Sequence, residues 1–185
     1  MHILNTCKNE DFKLVDTTDN GNKYIIRYNS KQLVKEEEKF KNSAFVKTGR
    51  YIPTGFTTSY MFITNKKPSL QRIKALIFAD IDAMCKDQIL NGMLWNGHKV
   101  WLNSENQKNY SDWYLLANNE DTLPSLVAKF TKNGKTVYYE FSTKEEIKSL
   151  YTSMVAHISN TINKFRKMKD DINWDEYKMY LEKLK

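Results

Sequence analysis

A chain of 185 residues, 41% hydrophobic and 28% charged, has the balance of a globular protein and room for one medium domain, or one domain with a small N-terminal module. It has no apolar run of about 18 residues, and Met1-His2-Ile3-Leu4-Asn5 lacks a charged region ahead of an apolar core, so neither a membrane span nor a secretion signal is expected. The net charge of +7 does not single out nucleic acid: Lys35 and Lys39 are interleaved with Glu36, Glu37 and Glu38, and Lys164, Arg166, Lys167 and Lys169 run into Asp170 and Asp171.

The first 66 residues read as a β-rich module. Residues 12–15 and 23–28 flank Asp19-Asn20-Gly21-Asn22, whose side chains tolerate the positive φ of a tight hairpin. Ser30 is placed to cap a short helix to residue 41, with Leu33, Val34 and Phe40 as its apolar contacts. Residues 44–47 and 56–64 then read as strands, the second rich in aromatic and hydroxylated β-formers. Such a small sheet needs a partner, either the helices that follow or a neighbouring subunit.

Lys66-Lys67-Pro68 divides this module from residues 67–185. Pro68-Ser69 opens a helix whose apolar face is Leu70, Ile73, Leu76, Ile77, Ile81, Met84 and Cys85, ending at Asn91-Gly92. Its length is on the order of 33 Å. Residues 93–102 carry Asn96-Gly97 between aromatic-aliphatic arms, a hairpin that could bring Trp95 and Trp101 together. Ser104 with Gln107 caps a helix bearing Tyr110, Trp113, Tyr114 and Leu115. A second hairpin, 126–131 with 135–141, turns at Asn133-Gly134, and Val137, Tyr139 and Phe141 alternate toward one covered face.

The sharpest periodicity follows. Ile147, Tyr151, Met154, Ile158, Thr161, Phe165, Met168 and Ile172 recur at intervals of four and three, and two overlapping capping boxes precede them, Ser142 with Glu145 and Thr143 with Glu146. Leu150, Val155 and Ile162 widen the stripe beyond a two-stranded seam, which favours packing in a globular bundle or a trimer-like core, with the helix at 69–90 as the nearest antiparallel partner. Beyond Asn173, the residues Trp174, Tyr177, Tyr180, Leu181 and Leu184 supply a short terminal helix. Two uses fit it: clipping onto another subunit, or folding back on its own core. The expected fold is α+β: a small N-terminal β-rich module, then a helical hairpin or bundle with two inserted β-hairpins and a long C-terminal amphipathic helix.

No spacing points to catalysis, a metal or a cofactor. Cys7 and Cys85 form neither a disulfide framework nor a zinc quartet. His157 lies at the margin of the long stripe, His98 in a turn and His2 at the terminus, none beside a nucleophile or acid at a telling spacing. Asp80, Asp82 and Asp87 share a helix without lining one face, and Asp170, Asp171, Asp175 and Glu176 read as a solvated bend. Lys outnumbers Arg 25 to 4, which limits bidentate phosphate or guanine contacts. The aromatic content of 13% suits an interface, for which Trp95, Trp101, Trp113, Trp174, Tyr177, Tyr180, Leu181 and Leu184 are the candidates.

The C-terminal two thirds resembles a known family. Its elements are Arg72-Ile73-Lys74-Ala75, Lys86-Asp87, the Gly92 to Gly97 turn, Val100-Trp101-Leu102-Asn103-Ser104, Leu123-Pro124 and Phe141-Ser142-Thr143-Lys144-Glu145-Glu146-Ile147. Val155-Ala156-His157-Ile158 and Arg166-Lys167-Met168-Lys169-Asp170-Asp171-Ile172 complete the order. Over residues 69–173 this is similar to the domain of unknown function that recurs in tail-fibre and tail-associated proteins of tailed bacteriophages. The resemblance implies a non-enzymatic, oligomeric structural component of a tail, collar or capsid, made in the bacterial host cytoplasm and located in the virion. Its partners would be other virion proteins or repeated copies of itself; the dispersed charge disfavours nucleic acid, and no membrane partner is expected. The alternatives are a tail-fibre assembly chaperone and a nucleic-acid-binding protein. Residues 1–66 and the Trp-bearing terminal extension depart from the family pattern.

Overall fold

The computed structural model describes the backbone of residues 5–7, 13–18, 21, 23–41, 44–120 and 122–184, and the side chains of residues 13–18, 21, 23–30, 62–120 and 122–184. The expectations for Asp19, Asn20, Asn22 and His2 lie outside the described residues. The fold is α+β, in two compact units: Met1–Phe78 together with Asn173–Lys185, and Ala79–Ile172. The sequence break at Lys66-Lys67-Pro68 lies between two elements of the first unit.

In the first unit, β1 (Asn5–Cys7), β2 (Val15–Thr17), β3 (Tyr24–Lys41) and β4 (Ala44–Thr64) form an antiparallel sheet of order β1-β4-β3-β2. The β2–β3 hairpin forms where turn chemistry placed it, with Val15 opposite Ile26, Thr17 opposite Tyr24 and Gly21 at φ +66°. The helix expected over residues 30–41 is instead the outer half of β3. Pairing decides this: β3 and β4 match from Tyr24↔Thr64 to Lys41↔Ala44, and ladder hydrogen bonds outweigh propensity differences of a few tenths of a kcal/mol per Lys or Glu. Residues 44–47 and 56–64 join as one strand through Pro53. That proline sits beside the register shift at Leu33/Val34, where its missing N–H is tolerated.

Two helices complete this unit. α1 (Leu70–Leu90) opens with the Arg72 N–H donating to Ser69 Oγ at 3.2 Å, and Phe78 is its last residue here. Ile73 and Ile77 of α1 are buried, as are Val15, Ile26 and Tyr28 of the sheet. α4 (Trp174–Lys183) starts at an Asn173 cap, the Asp175 N–H donating to its side chain.

The second unit holds β5 (Met93–Trp95), β6 (His98–Val100), α2 (Ser104–Asn119), β7 (Val127–Lys132), β8 (Lys135–Glu140) and α3 (Lys144–Asp170). Asn96 and Gly97 have φ of +47° and +74°, Asn133 and Gly134 +50° and +74°, the paired positive values of type I′ turns. Sequence reading separates the two hairpins, whereas Lys99↔Thr131 joins them into one sheet of order β5-β6-β7-β8. Asn103 rather than Ser104 caps α2: its Oδ1 accepts from the Asn106 N–H at 2.7 Å.

Of the two overlapping capping boxes, Thr143 with Glu146 forms. Glu145 and Glu146 occupy the first turn of α3 and Lys167 and Lys169 the last, each sign complementing the helix dipole. Ile147, Leu150, Met154, Thr161 and Phe165 are its buried face, which moves Leu150 from the flank of the predicted stripe to its centre. α3 packs along α2, where Tyr114 stacks on Tyr151 at 4.2 Å between ring centroids. Its links to α1 in this unit include Lys164–Gln88 at 2.8 Å and Lys169–Asp82 at 2.5 Å, which run antiparallel. α2 and the inner face of the sheet cover the first half of the stripe, Ile147, Leu150 and Met154.

Candidate binding face of the second sheet

Strand parity sorts the aromatic residues. Cross-strand partners share a face and alternate residues exchange faces. Met93, Trp95, His98, Val100, Ala128 and Phe130 therefore point inward and join Tyr110, Phe141, Ile147, Leu150 and Met154 in one core. Trp95 is 4% exposed; its ring meets Phe130, Tyr139 and Phe141 within 5.9 Å, and its Nε1–H donates to Ser149 Oγ at 3.2 Å. His98 is also a core residue, between Phe130 and Tyr139, rather than an exposed turn residue.

The same parity sends Leu94, Lys99, Trp101, Val127, Lys129, Thr131 and Tyr138 outward. Among them Leu94 is 75% exposed, Tyr138 71%, Val127 50% and Trp101 44%, an apolar set on the side of the sheet away from the core. Trp101 is steadied there by donating from Nε1 to Thr131 Oγ1 at 3.4 Å and by Lys99 Nζ, in cation–π range at 5.4 Å from its ring centre. Trp95 and Trp101 thus lie on opposite faces. Their expected approach fails because Trp95 pairs with His98, and Trp101, three residues on, has the other parity.

Where β6 leaves β7 beyond Lys99↔Thr131, the sheet opens into a cavity of about 590 Å³. One wall is β7; the other is Trp101 with the first turns of α2, including Asn106, Asn109 and Trp113. The Leu126 carbonyl accepts from the Phe141 N–H, so the backbone groups of Val127 and Lys129 point away from β8, toward this opening. Tyr110 also lines it, is 3% exposed, and its hydroxyl has no hydrogen-bond partner in the protein; burial pushes its pKa up to about 12.

The remaining candidates belong to packing. Trp113 is half-buried against Tyr110 and Phe141 at 5.5 and 5.7 Å. In the first unit, Tyr177 is buried and its hydroxyl donates to the Arg27 carbonyl at 2.6 Å; burial, then Glu176 nearby, raises its pKa. Trp174 meets Phe78 edge-on at 5.5 Å with Lys74 Nζ 5.0 Å from its ring centre. Tyr180, Leu181 and Leu184 are half-buried, and Lys67 Nζ donates to the Leu184 carbonyl. Of the two uses left open for the terminal helix, the fold takes the second: it folds back on its own unit.

Sequence reading missed Leu94, Val127 and Tyr138. The signal was present, since each alternates with a core residue of its strand. Among the described residues no group of three or more His, Cys, Asp or Glu could hold a metal, and no helix is long and apolar enough to cross a membrane.

These features define an α+β chain with an uncovered apolar sheet face. Residues 72–181, more than half of the chain, match the family described as Domain of unknown function (DUF4376), and the chain belongs to that family. No curated protein and no solved structure matches it.

Proposed function

We propose that this chain is a structural component of a tailed-bacteriophage virion, acting through contacts with other virion proteins in repeated copies and without a catalytic role. The observation that carries the reading is the outer face of the β5–β8 sheet, where Leu94, Val127, Tyr138 and Trp101 stand uncovered. Burial of such side chains is worth roughly 1.5–3 kcal/mol each, so a few of them anchor an interface that symmetry then repeats. The resemblance of residues 69–173 to tail-associated phage domains supplies the setting.

Peptide mapping of purified virions, with light scattering on the isolated chain, tests this. The chain is expected in particles, and the double variant Leu94→Ser, Tyr138→Ser is expected to fold and yet be left out, because neither side chain belongs to the core. A monomer that is abundant in lysate and missing from particles would assign the chain to assembly instead.

A further inference from the structure

From the cavity between β7 and α2 we infer a binding site for a neutral saccharide, one or two sugar rings in size. The site shares Trp101 with the face of the virion reading, while Asn109, Tyr110 and the β7 backbone are its own. The volume of about 590 Å³ is within the range of small-molecule sites, about 300–1,000 Å³. Its chemistry is that of a polyhydroxylated ligand. Trp101 offers an indole whose electron-rich face suits the weakly positive C–H face of a pyranose. Asn109 carries an amide with no protein partner, able to donate and accept at once, as neighbouring sugar hydroxyls require. The Tyr110 hydroxyl has no partner in the protein and keeps contact with solvent at the cavity wall, so it is open to a ligand hydroxyl. The outward-turned backbone groups of Val127 and Lys129 add donors and acceptors on the facing wall.

Other ligand classes fit less well. An anion would seek the start of α2, but the Asn103 side chain already takes the Asn106 N–H there and Glu105 places a negative charge in the first turn, leaving Lys129 as the cavity's single cation. An added peptide strand needs a longer edge. Only Val127 and Lys129 are open on β7 before β6 takes Thr131, and strands usually run to at least about three residues.

The test uses the purified full-length chain on an array of neutral and acidic glycans, followed by fluorescence titration with the best neutral binder, inorganic phosphate and an unstructured peptide. Saturable saccharide binding is expected, on the order of millimolar for one ring. Trp101→Ala and Asn109→Ala should each weaken it about tenfold. Tyr110→Phe should leave the thermal midpoint unchanged, the hydroxyl having no protein partner to lose, and should weaken binding, a loss a purely structural tyrosine would not give. Absence of any glycan binding, binding confined to phosphate, acidic glycans or peptide, or saccharide binding indifferent to all three substitutions would each overturn the inference.

Discussion

At Gly92 the chain leaves α1 with φ +73°, and a Cβ built there would lie 1.8 Å from the Val100 carbonyl oxygen. Two costs therefore coincide, a left-handed torsion and a collision with backbone that cannot swing aside. Gly134 has nearly the same torsion, φ +74°, with nothing within 4 Å. Gly92→Ala is expected to destabilise the protein by roughly 2–4 kcal/mol and Gly134→Ala by about 1 kcal/mol, measured by urea denaturation, because only the first adds overpacking to strain. The torsion was legible at both sites, since Asn91-Gly92 follows an apolar helix and Asn133-Gly134 separates two alternating runs. The collision was not: it depends on Val100, which reaches Gly92 only after β5 and β6 pair. Residue chemistry likewise announced Trp95 and Trp101 as sticky, while the face each ring takes depends on hairpin register, a relation between strands.

The start of α3 shows how one element carries a pH dependence. Glu146 accepts from the Tyr139 hydroxyl at 2.6 Å and from the Ser142 N–H at 2.8 Å, and the Thr143 N–H also donates to it, so its carboxylate is held below the usual range, the Tyr139 bond contributing most. A carboxyl with a depressed folded pKa adds stability that is fully present above its unfolded pKa and is lost as pH falls through the folded value. Glu146→Gln retains a side chain able to close the box but removes the charge. Wild type should exceed this variant in urea midpoint at neutral pH, and the gap should shrink on acidification. A gap constant across the acid range would place the effect in packing. The sequence made this cap visible because its spacing is local. It misled over residues 30–41, where Lys and Glu look helical, because the partner that makes β3 a strand lies across a hairpin in β4.

The first compact unit is assembled from both ends of the chain, and this division could not be read from local composition. From sequence, residues 174–184 read equally as an external clip or a segment folded back on its own core, because Trp174, Tyr177, Tyr180, Leu181 and Leu184 crowd a short helix. Their targets, Arg27 and Phe78, are far away in sequence, and no spacing rule announces such a contact. Removing residues 174–185 consequently has a different expected outcome from the loss of an external clip. The Tyr177 ring would no longer cover the sheet edge near β2, a loss of roughly 2–3 kcal/mol, and the Arg27 carbonyl would lose its donor at about 1–3 kcal/mol more. Against a typical total of about 5–15 kcal/mol that is a large share. Hydrogen exchange on the truncated chain should show faster exchange at Ile26, Arg27 and Tyr28, while Val100, Ala128 and Phe130 of the second unit keep their protection, since their core draws nothing from α4. Unchanged exchange at Arg27 would mean that α4 rests on the first unit without holding it, and would return the terminal helix to the role of a docking segment.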